Sequence, residues 1–392
     1  MLAISLIFIP LEFKNSNNNI TNLSKFFLLL RYSLVYDLLF KMILKYILSF
    51  PASIIKFFII FIFSFNSIAD DDFSKYFIED KGTVSLMYHR FNENKYPSTN
   101  IQMDIFEKHI NIIQSENLEF ESIENFGLNF TKNKEKKKIL ITIDDAFSSF
   151  YNNAWPFLKK NRIPFILFVS TEPIGKNGYM NWKQIKEIEK SEFGYIGNHS
   201  HSHEYLINYE FEDFKKDINK SIKIFKENLG YNPIYFSYPF GEYSKEQRDY
   251  IAKNFKFAFG QHSGVIDFNK NRYELPRFPI NEKYGDLERF KFLIRLLPLQ
   301  YKKIEPEDKY IKKDNNPPNL SIEFFKNQKN IKNINCFSDE GEKWKKSKIQ
   351  LEENKLQINF VDKFKFRRGR INCSLNDDDG WRWLGIQFSI EN

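Results

Sequence analysis

Three of the six histidines of this 392-residue chain fall within five positions. His199, His201 and His203 alternate with serines in "GNHSHSHEY". On an extended strand all three imidazoles share a face, because alternate side chains point the same way. In a helix His199 and His203 meet at i and i+4 while His201 points elsewhere. The two geometries nominate different metal ligands. Upstream, "LITIDDAF" places two adjacent carboxylates, Asp144 and Asp145, after an apolar, β-branched run. Alone, such a pair often caps a following helix. A carboxylate with two imidazoles, however, is a common catalytic zinc set that leaves a fourth position open. Zinc lowers the pKa of bound water toward ~7 and polarises a carbonyl oxygen. A second carboxylate beside it then serves as general base. Two aspartates and two histidines meet these requirements.

The elements that must position these residues alternate between about residues 82 and 300. The segments 83–89, 138–144, 162–170, 193–199, 233–241 and 255–261 are short apolar runs that read as strands. Helices are expected over 104–114, 181–191 and 209–229. In the last, Phe211, Phe214, Ile218, Ile222, Phe225 and Leu229 recur at three- and four-residue steps, and Gly230 marks the stop. Strands alternating with helices imply an α/β fold with parallel strands. With about six such units and no glycine-rich phosphate loop, a (β/α) barrel is expected, its reactive groups at the C-terminal ends of the strands. Asp144 and Asp145, His199, and Tyr238 with Pro239 each end one such run.

"TIDDA", "HSHSH" and "SYPFG", in that order, resemble the motifs of the NodB-homology polysaccharide deacetylases, carbohydrate esterase family 4, in the form of the poly-N-acetylglucosamine deacetylase branch. The resemblance covers about residues 80–285 and implies a distorted (β/α) barrel of the NodB type. It makes Asp144 the general base and Asp145, His199 and His203 the ligands of a divalent metal, with zinc favoured. His201 falls on a variable position, so the helical-turn geometry is expected. Pro239 and Phe240 fall in register with the third motif, where the Phe240 backbone N–H would hold the oxyanion and Tyr238 and Pro239 would meet substrate. There are departures. Ala146 replaces a glycine, and Ser237 stands where many members carry an arginine that orients the base. Arg277 in "LPRF" replaces the acid histidine, and an arginine does not give up its proton. His262 is nominated as the acid instead; His89 is a later candidate, read first as a histidine hydrogen-bonded at the barrel mouth, and His109 a helix-surface residue. The implied reaction hydrolyses N-acetyl groups of N-acetylhexosamine residues in a polysaccharide or oligosaccharide, releasing acetate. Two alternatives stand beside it: an O-acetyl esterase with the same metal site, and an inactive carbohydrate-binding protein on the same fold.

The formal net charge is +8, but lysines are scattered among glutamates and no recognition motif accompanies them. Nucleic acid is therefore not an expected partner. Lys56, the apolar run Phe57–Phe65 and Ser67-Ile68-Ala69 have the layout of a secretory signal peptide, with Met42 a more ordinary start for it than Met1. The expected organisation is an N-terminal extension with signal peptide or membrane anchor (1–69), the deacetylase-like domain (70–305), a linker (306–318) and a small β-rich domain (319–392). A periplasmic or extracellular location follows, with membrane contact through the N-terminus only. There a Cys336–Cys373 bridge would persist. Neither cysteine belongs to a CxxC pair, which argues against a cysteine metal site. Trp381 and Trp383 are expected in the core of the β-rich domain, and Asp377–Gly380 as a tight turn.

Overall fold

The computed structural model describes residues 82–130, 136–326 and 328–391. The expected extension, signal peptide and anchor lie outside the described residues. Among those described, no helix is long and apolar enough to cross a membrane. The expected membrane anchor is corrected on that finding: none of the described helices supplies one.

A curled, partly open sheet carries the site. Its parallel strands run in chain order: β1 (Thr83–Tyr88), β2 (Lys138–Ile143), β3 (Phe165–Val169), β4 (Gly194–Asn198), β5 (Tyr235–Ser237) and β6 (Phe257–Phe259). Strand β7 (Val265–Ile266) adds antiparallel to β1, and β8 (Phe278–Pro279) pairs parallel with β1. Leu275 bridges Phe259, so the segment from Leu275 to Pro279 spans the gap between β6 and β1. These strands are buried on both faces, which is why they read as continuous apolar runs. The period of two still sorts them. Ile139, Ile141, Ile143, Phe165, Leu167 and Val169 pack outward against the helical layer. Leu140, Ile166 and Phe168 join Phe257, Phe259 and Leu275 in a separate inner cluster. Thr142 and Asp144 continue that inner row, which brings a carboxylate over the barrel interior.

Helices accompany them: α1 (Met103–Ser115), α2 (Trp155–Asn161), α3 (Trp182–Glu189), α4 (Phe211–Leu229), α5 (Lys245–Asn254) and α6 (Leu287–Ile294); α1, α3 and α4 are the three expected from the sequence pattern. Helix α3 opens on an Asn181/Gln184 capping box. Gly230 ends α4 at φ 84, a left-handed cap that favours glycine. His109 departs from its expected surface position. It is buried on α1, where Nε2–H donates to Gly285 O at 2.8 Å, Nδ1 meets the Tyr88 hydroxyl at 3.1 Å, and the ring stacks on Phe290.

The chain then builds two antiparallel-rich sheets. One holds β9 (Asn335–Ser338), β10 (Arg368–Asp377) and β11 (Gly380–Ile390). Cys336 and Cys373 are register partners on β9 and β10 and form a disulfide. The other sheet is formed by 303–305, 320–323, 348–352 and 355–359. Leu320, Ile322, Leu356, Ile358, Leu375 and Phe388 fill the core between them. Asp378 and Asp379 form the tight turn between β10 and β11. Trp381 and Trp383 are not both core, as had been expected: Trp381 is exposed and Trp383 half-buried. The alternation is inverted because Arg382 turns inward, donating to Asp377 at 2.5 Å and Pro298 O at 3.1 Å. Both indoles meet Phe292 of α6 instead. The hairpin also reaches the barrel, where Leu384 bridges Gly264.

Candidate metal centre and active site

Asp144 and Asp145 follow β2, and His199 follows β4. At this end of the sheet the Nε2 atoms of His199 and His203 lie 3.5 and 3.0 Å from Asp145 Oδ1. Ligands about 2.0–2.2 Å from a tetrahedral zinc sit roughly 3.3–3.6 Å apart, so the spacing fits a metal. Asp145 Oδ1 is buried, and these contacts fall outside hydrogen-bond geometry, leaving it without a donor among the described residues. An oxygen orphaned in this way calls for a cation. His199 is prepared for the same role. Its Nδ1–H donates to Ser237 O at 2.7 Å, which fixes the tautomer and leaves Nε2 with its lone pair. Burial holds its pKa at about 4, so it is neutral. Asp145, His199 and His203 are thus a candidate site for a divalent ion.

The histidine segment is neither strand nor helix. It is a tight turn in which Ser200 (φ 70) and His203 (φ 56) are left-handed. Asp217 on α4 holds it, accepting from the backbone N–H of His201 (2.8 Å) and Ser202 (3.0 Å). Asn198 Oδ1 accepts from Ser200 N, and Ser200 Oγ from His203 N. His201 points away, its Nδ1 against Thr171 Oγ1 at 2.8 Å. Asp217 has no motif of its own. Its only trace in the sequence is a carboxylate beside the apolar residues of α4, where Ser221 is the other buried polar group.

Asp144 is fully buried beside this triad, 3.8 Å from His199 Nε2. Arg277, also fully buried, reaches it from the segment that spans the sheet gap. All five of its N–H donors are used: on Gly260 O, Thr142 Oγ1, both oxygens of Asp144 (2.6 and 2.9 Å), and Ser237 Oγ. Burial alone would raise the Asp144 pKa. The Arg277 guanidinium, with His199 and His89, more than reverses this and holds it below the usual carboxylate range. Arg277 therefore clamps Asp144 from the segment that spans the gap, beside the small side chain of Ser237.

His262 is not brought into this cluster. Its carbonyl accepts from Arg277 N, and its ring lies under Gly260 and lines a small cavity with Leu275, Pro298 and Trp383. His89 does reach the site. Tyr88 O accepts from Asp144 N at 2.9 Å, so His89 and Asp144 leave their strands side by side. Its Nδ1 is buried without a partner among the described residues. Tyr238 and Pro239 sit in the core: the Tyr238 hydroxyl donates to Tyr273 O and its ring stacks on Tyr243. That removes their side chains from direct substrate contact. Phe240 does face the site, with its ring centroid 4.9 Å from that of His203 and its φ at 58°. Asp145 (φ 74), Ala146 (φ 55), Ser200, His203 and Phe240 are all left-handed non-glycine residues, a concentration of strain typical of functional sites. An open cleft of about 510 Å³, lined by Arg90, Glu93, Tyr96, Gly178 and Tyr179, adjoins the site through the Phe147–Tyr179 bridge.

Water activation is what this pairing of ligand set and buried carboxylate serves, which places the chain among metal-dependent hydrolases. Residues 131–258 match the polysaccharide deacetylase family. Over 244 residues the chain is 26% identical to poly-beta-1,6-N-acetyl-D-glucosamine N-deacetylase of Staphylococcus aureus, covering 55% of this chain and 84% of that protein. It is 24% identical to the putative polysaccharide deacetylase YxkH of Bacillus subtilis, covering 50% and 70%. The Streptococcus pyogenes deacetylase PplD in complex with acetate superposes with a TM-score of 0.49 at 23% identity, covering 53% of this chain and 95% of that one. The chain carries a polysaccharide deacetylase domain of the NodB-homology type, related to the poly-N-acetylglucosamine deacetylases.

Proposed function

We propose that this chain removes N-acetyl groups from an N-acetylhexosamine polymer, releasing acetate and leaving a free amine, with zinc as its ion. The observation that carries this reading is the convergence of Asp145, His199 and His203 next to an ionised Asp144 clamped by Arg277. The names of the Staphylococcus relatives support the same substrate class. When bound, the ion acidifies a water and polarises the acetamide carbonyl. Asp144 accepts the proton through the lone pairs that Arg277 leaves free, and its lowered pKa keeps it ionised across the neutral range. The Phe240 backbone N–H receives charge that develops on the carbonyl oxygen. His89 delivers a proton to the leaving nitrogen, a step Arg277 cannot perform. The aromatic cleft beside Tyr96 and Tyr179 suits neighbouring sugars of the chain. The catalytic groups all lie before the C-terminal sheets, which already include 297–298, 303–305 and 310–311.

The esterase alternative drew its support from a missing acid, and His89 fills that place. The test uses two substrates. His89→Gln should lower acetate release from N-acetylglucosamine oligomers by about 10²–10⁴-fold yet spare 4-nitrophenyl acetate, whose phenolate leaves without a proton. Equal losses on both substrates would remove His89 from the acid role. Release from O-acetylated glycan alone would replace the amidase with the esterase.

A further inference from the structure

We propose that the β-rich C-terminal region is a working part of the active site. Gln387 on β11, with Arg367 and Arg368 at the start of β10, positions the Tyr238–Gly241 turn so that the Phe240 backbone meets the reacting carbonyl. This rests on the deacetylase reading above.

Gln387 Nε2 donates to Phe240 O at 3.2 Å and to Gly241 O at 3.0 Å. Arg368 Nη1 approaches the same Phe240 carbonyl at 3.4 Å. Arg367 Nη2 pairs with Glu242, the next residue of the turn, at 2.8 Å. Its guanidinium also lies 3.8 Å from the centroid of the Tyr205 ring, and Tyr205 stacks on Phe240 at 4.1 Å. The turn is thus held through the Phe240 and Gly241 carbonyls and through Glu242 by residues more than a hundred positions away, and the Phe240 ring is held by Tyr205, which Arg367 backs.

The need for such a hold is local. Phe240 is left-handed, a conformation that a non-glycine residue leaves unless its surroundings fix it. Gln387 itself is anchored, since Ile386 and Phe388 on either side are part of the C-terminal core. Rigidity of that core is thereby passed to a backbone segment of the barrel. An oxyanion donor works only when its direction is set before reaction, so Gln387 is a positioning residue rather than a catalytic one.

The test uses the full chain carrying Gln387→Met, which keeps the side-chain volume and removes both donors. Four quantities are measured: kcat, KM, metal stoichiometry and hydrogen exchange of the amides of Phe240, Gly241 and Glu242. The expected result is a kcat about 10- to 100-fold lower, KM within about twofold, unchanged metal binding and faster exchange at the turn. If this variant does not fold, Arg367→Gln at the rim is measured with the same expectations. Unchanged exchange overturns the proposal whatever the activity, and faster exchange with wild-type kcat overturns it equally. Faster exchange in a protein whose wild type releases no acetate supports the hold on the turn and defeats the deacetylase reading instead.

Discussion

Asp144 and Arg277 are both fully buried, and each is tolerable there through the other. Removing one partner of such a pair leaves a bare charge in an apolar interior, at a cost of about 3–5 kcal/mol. Arg277→Met should therefore destabilise the fold and also raise the Asp144 pKa, since the guanidinium is what outweighs burial. The acid limb of the kcat/KM profile should move to higher pH, and an unmoved limb would separate Arg277 from the base. The sequence shows these two positions as unrelated departures, an arginine where the family has a histidine and a serine where it has an arginine. In the structure the two positions meet, because the Arg277 guanidinium on the gap-spanning segment donates to Ser237 and reaches across the barrel interior to Asp144, 133 positions earlier. Such reach leaves no mark in spacing. Ala146 is more legible: it sits at φ 55, which explains why glycine is usual there.

Among the elements, strands and helices of the barrel were readable because apolar runs and amphipathic stripes follow directly from burial on two faces or one. The histidine segment was not. Its i and i+4 residues meet through a turn with two left-handed residues rather than through a helix, and the hold on that turn comes from Asp217, whose helix stripe looked merely apolar. Asp217→Asn keeps the shape and weakens the acceptor of two backbone N–H groups. Metal affinity should fall about 10- to 100-fold with the secondary structure intact, measured by competition with a chelator of known affinity. Undiminished affinity would mean that the turn holds itself.

For the whole molecule, burial keeps His109, His199 and His262 each at a pKa of about 4, against about 6.5 in an unfolded chain. Between those values the unfolded chain binds protons that the folded one refuses. Stability is then complete above about pH 6.5 and falls as pH drops toward 4. His203, which burial pushes down but Asp145 raises on balance, works the other way. The net expectation is a urea midpoint that falls from pH 7 to 4.5 in chelator, and a rising midpoint would contradict it. At this scale the sequence marked the change of character after about residue 300 and suggested the Cys336–Cys373 pairing. It did not show that the β-rich region returns to the barrel through Gln387 and Arg367. Those are polar residues on strands whose alternation says only which face they take, not what lies opposite.

The most direct test of the account compares the wild type with Asp144→Asn for acetate release from N-acetylglucosamine oligomers, with bound metal measured in both. The account predicts that the variant keeps its metal and loses about 10²–10⁴-fold in rate. A variant that keeps its metal and turns over at the wild-type rate would contradict it.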